Sequence, residues 1–391
     1  MIEFIIKYKF ILLFYAVIIL FLILNRKKIQ TQAKIIFLYR MKWGLKWMDK
    51  YSQKFKEWVI LLGYIGVGAG LVGLVFISYL LIKNLINLIS QPTTASGVSL
   101  VLPGVDVPGL GVLPFWYWLI AIFIIAIVHE FAHGIVARAH NVEVKNTGIV
   151  LLGPIIGAFV EPNEEQLGKK ADIKRYSVLA AGAFANIILA GLVLFLLAVI
   201  TNPLQQGMVE PTGFTFNQYY SEDFPIAKAG IEKGTLITGI NDKQTTDFQQ
   251  FNEELLCATP GQKIEVSTSE GNYDITLAAN PENPEKGFLG IQQIKNEFEV
   301  KEAYQSGFGR VSYFLLDWIN GFFRWLFILS FGIGLFNLLP LPIVDGGRMA
   351  QVFLQRLKGK DKGEKAYRKI GMFFLLLLLV NLLYPLIAKL F

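Results

Sequence analysis

The chain has 391 residues, 53% of them hydrophobic, and a formal net charge of +7; its mean hydropathy is +0.47. That apolar content excludes an ordinary soluble domain, because runs of about 20 apolar residues read as membrane spans. One cysteine, Cys257, excludes an internal disulfide framework.

In chain order, the apolar runs predict six spans, at roughly 5–24, 59–82, 114–138, 176–200, 311–336 and 370–391. No small-residue cleavage site follows the first run, and NRKK comes next, so an uncleaved span is expected there. Residues 25–58 carry ten Lys/Arg, interleaved with Trp43, Trp47, Phe55 and Trp58. This pattern suits a helix on an anionic membrane surface and argues against nucleic acid as a partner. The Gly- and Pro-rich stretch 90–113 reads as an irregular external loop.

Residues 148–160, GIVLLGPIIGAFV, are too short to span as a helix, and Gly153-Pro154 reads as a turn between two short strands. Two readings stand: a loop packed on the cytoplasmic face, or a re-entrant hairpin whose free edge pairs with an extended peptide. Segment 201–310 holds eight Lys/Arg against sixteen Asp/Glu, whereas 348–369 holds eight Lys/Arg. The positive-inside rule then places 25–58, 139–175 and 337–369 in the cytoplasm, with 83–113 and 201–310 on the opposite side. Within 207–300, alternating strand patterns, Gly turns and one helix near 247–257 indicate a small α+β module.

The chemistry concentrates in IVHEFAHGIVARAH, residues 127–140, which holds all three histidines. On a helix, His129 and His133 point the same way one turn apart, with Glu130 beside them. An H-E-x-x-H turn lets two imidazoles hold Zn²⁺ while the carboxylate activates water. An ionisable group near mid-membrane costs about 2.5–3.5 kcal/mol even on lenient scales, so a cluster of them calls for a metal partner. His140 reads as an exposed loop residue. The favoured third ligand is Asp345, in FNLLPLPIVDGGRMAQVF at 336–353. There Pro340 and Pro342 break a helix, Gly346 and Gly347 allow tight backbone, and Asp345 can start a second helix. Asn337 can satisfy the freed backbone or bind substrate. Glu161, Glu164 or Glu165 is the alternative third ligand, in a zincin with a cytoplasmic site. A transporter or a scaffold is the non-enzymatic alternative.

HEFAHG together with NLLPLPIVDGG, and GAFVEP at 157–162, resembles the site-2 protease family of intramembrane zinc metalloproteases. AGIEKGTLITGIND resembles the AGL-x-x-GD-x-I-x-x-IN-G stretch of PDZ domains, with Thr235 where Asp is usual. The resemblance implies one Zn²⁺ per chain held by His129, His133 and Asp345, and Glu130 as general base. It also implies a polar residue in the intervening core helix, Asn186 in AAGAFAN, which with Asn337 steadies the oxyanion or substrate backbone. A helix–helix hydrogen bond beside Gly182 and Ala183 is the other reading of Asn186.

The expected architecture is a polytopic α-helical membrane protein of about six transmembrane helices, with a short re-entrant β-hairpin and a PDZ-like extramembrane domain. Its parts are N-terminal spans with a basic segment (1–113), the first core part (114–200), the PDZ-like domain (207–300), the second core part (311–353), and a basic loop with a last span (354–391). The expected substrates are transmembrane helices of other proteins, cut within the bilayer of a prokaryotic cell membrane, with the site towards the cytoplasm and the PDZ-like domain outside.

Overall fold

The computed structural model describes residues 2–32, 36–90, 101–107, 110–152 and 155–387. Gly153-Pro154 and half of the 90–113 loop (91–100 and 108–109) lie outside the described residues. From the N-terminus, α1 (Ile2–Leu24) leads to β1 (Ile29–Gln32), β2 (Ile36–Met41), α2 (Leu45–Lys54) and α3 (Lys56–Ser90). A small hairpin, β3 (Asp106–Val107) and β4 (Gly111–Val112), precedes α4 (Phe115–Ala139). Then come β5 (Val144–Leu152), β6 (Ile155–Pro162), α5 (Glu164–Gly168) and α6 (Asp172–Leu196), which runs through a π-helical turn into α7 (Asn202–Gly207).

Among the described residues, five helices are long and apolar enough to cross a membrane: Lys56–Ser90, Phe115–Ala139, Asp172–Gly207, Gly307–Phe336 and Lys360–Tyr384. The run expected at 5–24 lies in α1, whose apolar stretch Lys9–Leu24 is shorter than these. A helix suits such runs because it satisfies every backbone N–H and C=O internally. The chain divides into two units, Met1–Leu197 with Gly321–Phe391, and Ala198–Asn320.

In the first unit, α3 meets α6 along a stripe of small residues. A Cβ at Gly63 would lie 2.3 Å from Ser177 Oγ. Such stripes let helix backbones approach closely where no hydrophobic drive separates helix from lipid.

The 25–58 segment departs from the expected surface helix. Leu45–Lys54 is a short helix there and Lys56–Trp58 begin α3, while β1 and β2 form a hairpin that joins β5 and β6 in one antiparallel sheet, order β1-β2-β5-β6. Met41 pairs with Thr147, and Thr147 with Val160. Alternating bulky side chains in IFLYRM favour the pleated conformation, and β5 supplies the missing backbone partners. Thr147 Oγ1 locks the junction by donating to Trp43 O at 2.7 Å. Helix α2 buries Met48 against α4 among Val136 and Ala137, and Asp49 pairs with Arg138 at 3.1 Å.

His140 is a correction. It caps the C-terminus of α4 and is 4% exposed, buried and not exposed as expected, and its Nε2 lies 3.1 Å from Ser177 Oγ on α6. Burial, then Lys174, Lys170 and Lys56, hold its pKa down to about 4.

The second unit contains β7 (Val209–Tyr219), α8 (Pro225–Lys228), β8 (Ile237–Ile240), β9 (Lys243–Gln244), α9 (Phe248–Leu255), β10 (Lys263–Thr268), β11 (Gly271–Thr276), β12 (Ala278–Ala279), β13 (Gly287–Phe288) and β14 (Ile291–Val300). Its main sheet runs β11-β10-β8-β7-β14, with β9 on β8. Phe214, Phe216, Ile237, Phe251 and Val266 are fully buried in its own core. Asp247 caps α9, accepting from Gln250 N at 2.9 Å.

Helix α10 (Gly307–Phe336) is followed by an irregular turn, then α11 (Asp345–Lys358) and α12 (Lys360–Ile387). The basic stretch 354–369, expected as a loop, is therefore largely helical, broken at Gly359, whose φ of +76° suits a residue without Cβ.

Candidate metal centre

Three elements bring the ionisable groups together. On α4, the His129 and His133 rings stand 4.8 Å apart, and their Nε2 atoms 3.2 Å apart. Asp345, the first residue of α11, sends Oδ2 to 3.2 Å from each Nε2. The three side chains are only 11–14% exposed.

The turn between α10 and α11 sets Asp345 in place. Gly346 N donates to Asn337 O at 2.7 Å, folding the chain back on the end of α10. A Cβ at Gly347 would sit 1.7 Å from Leu341 O, so the LPLP stretch runs where a side chain would have to be. The Asp-Gly-Gly triplet thus joins one candidate donor to a backbone crossing that only glycine permits.

Behind the imidazoles lies α6. A Cβ at Gly182 would be 2.3 Å from His133 Nε2 and 2.6 Å from His129 Nε2. His133 Nδ1 lies 2.7 Å from Val178 O, which accepts its proton and leaves Nε2 free to ligate. His129 Nδ1 lies 3.1 Å from Asn186 Nδ2, and Asn186 is fully buried. Glu130 Oε2 accepts from Val160 N at 2.7 Å, tying the carboxylate to β6. Asn337, just past the end of α10, donates through Nδ2 to Ile333 O of its last turn at 3.1 Å.

Three donors around one tetrahedral zinc at about 2.0–2.1 Å stand about 3.3 Å apart. The observed triangle of two imidazole nitrogens and one carboxylate oxygen fits that spacing, and the donor types fit zinc. The glutamates considered as alternative ligands have other partners. Glu161 pairs with Arg40 at 3.1 Å and accepts from Asn146 at 3.0 Å, which hold its carboxyl below the usual range. Glu164 pairs with Arg348 at 2.7 Å, and Glu165 with Lys169 at 2.5 Å.

The profile of Peptidase family M50 matches residues 117–378, spanning both motifs. The chain belongs to Peptidase family M50. Among the relatives of this M50 chain, an uncharacterised protein of Methanocaldococcus jannaschii is 28% identical over 90% of this chain and 87% of its own length. A putative zinc metalloprotease of Fusobacterium nucleatum is 27% identical over 65% of this chain and 89% of its own. The regulator of sigma-W protease RasP of Bacillus subtilis is 25% identical over 59% and 63%. Among solved structures, the PDZ domain of an SdrC-like protein from Listeria monocytogenes is 22% identical, covers 21% of this chain and 86% of that one, and gives a TM-score of 0.19. This M50 chain is a site-2-type metalloprotease with zinc as its cofactor, which removes the transporter and scaffold alternatives.

Sequence reasoning missed Gly182, Val178 and Val160 as parts of the site. The small-residue run AAGA at 180–183 signals a close approach to α6. The other two act through backbone atoms, which no residue type announces.

Proposed function

We propose that the chain hydrolyses peptide bonds within transmembrane helices of other membrane proteins. In this reading His129, His133 and Asp345 hold the zinc, and Glu130 is the general base. The observation that carries it is the 3.2 Å triangle of donors that His129 and His133, on a membrane-length apolar helix, form with Asp345 of α11, with the Glu130 carboxylate next to His129.

When bound, zinc supplies Lewis acidity towards a carbonyl oxygen and an acidified water. Glu130 takes the proton of the attacking water and returns it to the leaving amine. The Val160 N–H holds that carboxylate on the β6 side of the site, limiting its freedom before attack.

A substrate helix hides its carbonyls in its own hydrogen bonds, so it must be locally extended before attack. Strand β6 ends the sheet β1-β2-β5-β6, and among the described residues no further strand pairs with its outer edge. The Val160 N–H points off that edge, and by two-residue alternation so do the N–H and C=O of Ala158. An extended substrate stretch pairs there as an added strand, beside Glu130. In this reading β5 and β6 are the re-entrant hairpin and α1 is the sixth span. The basic cytoplasmic stretches set the site towards the cytoplasm and the PDZ-like module outside, where it filters substrates. Asn337, at the end of α10, steadies the substrate backbone.

The test is reconstitution with transmembrane peptides, with and without a zinc chelator, mapping the cut. Glu130→Gln should keep bound zinc and abolish cleavage, and Asp345→Ala should lose the metal. Full zinc occupancy in Asp345→Ala would falsify the ligand set.

A further inference from the structure

The role of Asn186 turns on the two faces of the His129 ring. Its Nε2 points at Asp345 Oδ2 and His133 Nε2, each 3.2 Å away, so this is the ligating nitrogen if the ring holds zinc. A neutral imidazole that ligates through Nε2 carries its proton on Nδ1 and needs an acceptor there. His133 has one, Val178 O at 2.7 Å. Opposite His129 Nδ1 stands Asn186, 3.1 Å away through Nδ2, which is a donor. Asn186 Oδ1 is buried and has no hydrogen-bond partner among the described residues.

With Asn186 Nδ2 donating to it, His129 Nδ1 is an acceptor, and the ring's proton is on Nε2, towards Asp345. With Nε2 ligated, that arrangement would press two N–H groups together beside the fully buried Asn186. Rotating the amide by half a turn brings Oδ1 to Nδ1–H and exchanges one hydrogen bond for another at unchanged shape. The backbone that carries the amide is fixed. Ser330 Oγ on α10 donates to Asn186 O at 2.8 Å, and a Cβ at Gly334 would lie 3.3 Å from Asn186 Cβ. The amide therefore turns in place, and the 0% exposure of Asn186 leaves no surface for a substrate to touch.

From this geometry we infer that Asn186 is a positioning residue. Its Oδ1 accepts from His129 Nδ1–H and holds the ring in the tautomer that presents Nε2 to the metal. This rests on the ligand set proposed above, and it replaces contact with the oxyanion or substrate backbone as the role of Asn186.

The experiment measures zinc affinity of the full-length chain in detergent by competition with a chromophoric chelator, independently of cleavage. Asn186→Leu keeps the volume but has no acceptor, and should weaken zinc about 10–100-fold, as is usual for loss of a partner behind a ligand. Asn186→Asp restores an acceptor and should bring affinity back to within a few-fold of the parent. Asn186→Ala, smaller and a good helix former, should share the sign of the Leu variant and stands in for it if that variant does not fold. Unchanged zinc affinity in Asn186→Leu with cleavage lost overturns the inference in favour of a substrate contact. Equal weakening in the Leu and Asp variants overturns it in favour of packing alone. His129→Ala is the control: if it binds zinc as tightly as the parent, the ligand set has failed, and the inference with it.

Discussion

Gly182 is the point where α6 leaves the imidazoles no spare room. Gly182→Ala would place a methyl 2.3 Å from His133 Nε2 and 2.6 Å from His129 Nε2, closer than real Cβ contacts allow. The rings must then turn away from Asp345. Zinc affinity should fall at least about tenfold while the helices persist, read by chelator competition and circular dichroism. At the C-terminal end of α4, His140 responds to pH. Its folded pKa of about 4 lies below the usual value of 6.5, so between these values the unfolded state binds the extra proton. Stability should therefore be intact above about pH 6.5 and fall by up to about 3 kcal/mol as pH drops towards 4. His140→Gln, unable to titrate, should flatten that part of the curve in thermal unfolding scans at stepped pH.

Among elements, β6 carries the sharpest consequence. By the alternation that sends Val160 N–H to Glu130, the Ala158 N–H lies outside the β5 ladder. Ala158→Pro removes that outward donor on an edge strand, where proline is tolerated. Cleavage should fall at least about tenfold with zinc affinity unchanged; full activity in this variant would exclude strand addition at that edge. Helix α2 buttresses α4, the helix of His129 and His133. Met48 is fully buried, and a Cβ at Gly134, next to His133, would lie 2.4 Å from its sulfur. Met48→Ala should cost about 2–5 kcal/mol through the cavity it leaves, measured as a lower denaturation midpoint.

For the whole molecule, the two units have separate cores, and all three proposed ligands belong to the first. Zinc bound to the folded state alone stabilises it, by about 2.7 kcal/mol at a hundred times Kd. Chelation should lower the unfolding transition of the helical unit and leave that of the Ala198–Asn320 unit in place, resolvable by calorimetry. The sequence by itself determined the long helices, because a run of apolar residues in lipid has one local solution. It also determined His129 and His133, since i and i+4 spacing on a helix is a local fact, and it pointed to Asp345 through the proline and glycine pattern around it. It did not determine that Ile29–Gln32 and Ile36–Met41 extend the hairpin sheet, that His140 is buried, or that Gly182, Val178 and Val160 surround the His129–His133 turn. Those were decided by the tertiary structure alone. Each depends on a distance between segments far apart in the chain, and in three of the contacts one partner is a backbone atom, or a Cβ that is absent. Side-chain chemistry can be read along a chain, but which backbone group faces it exists only once the helices have packed.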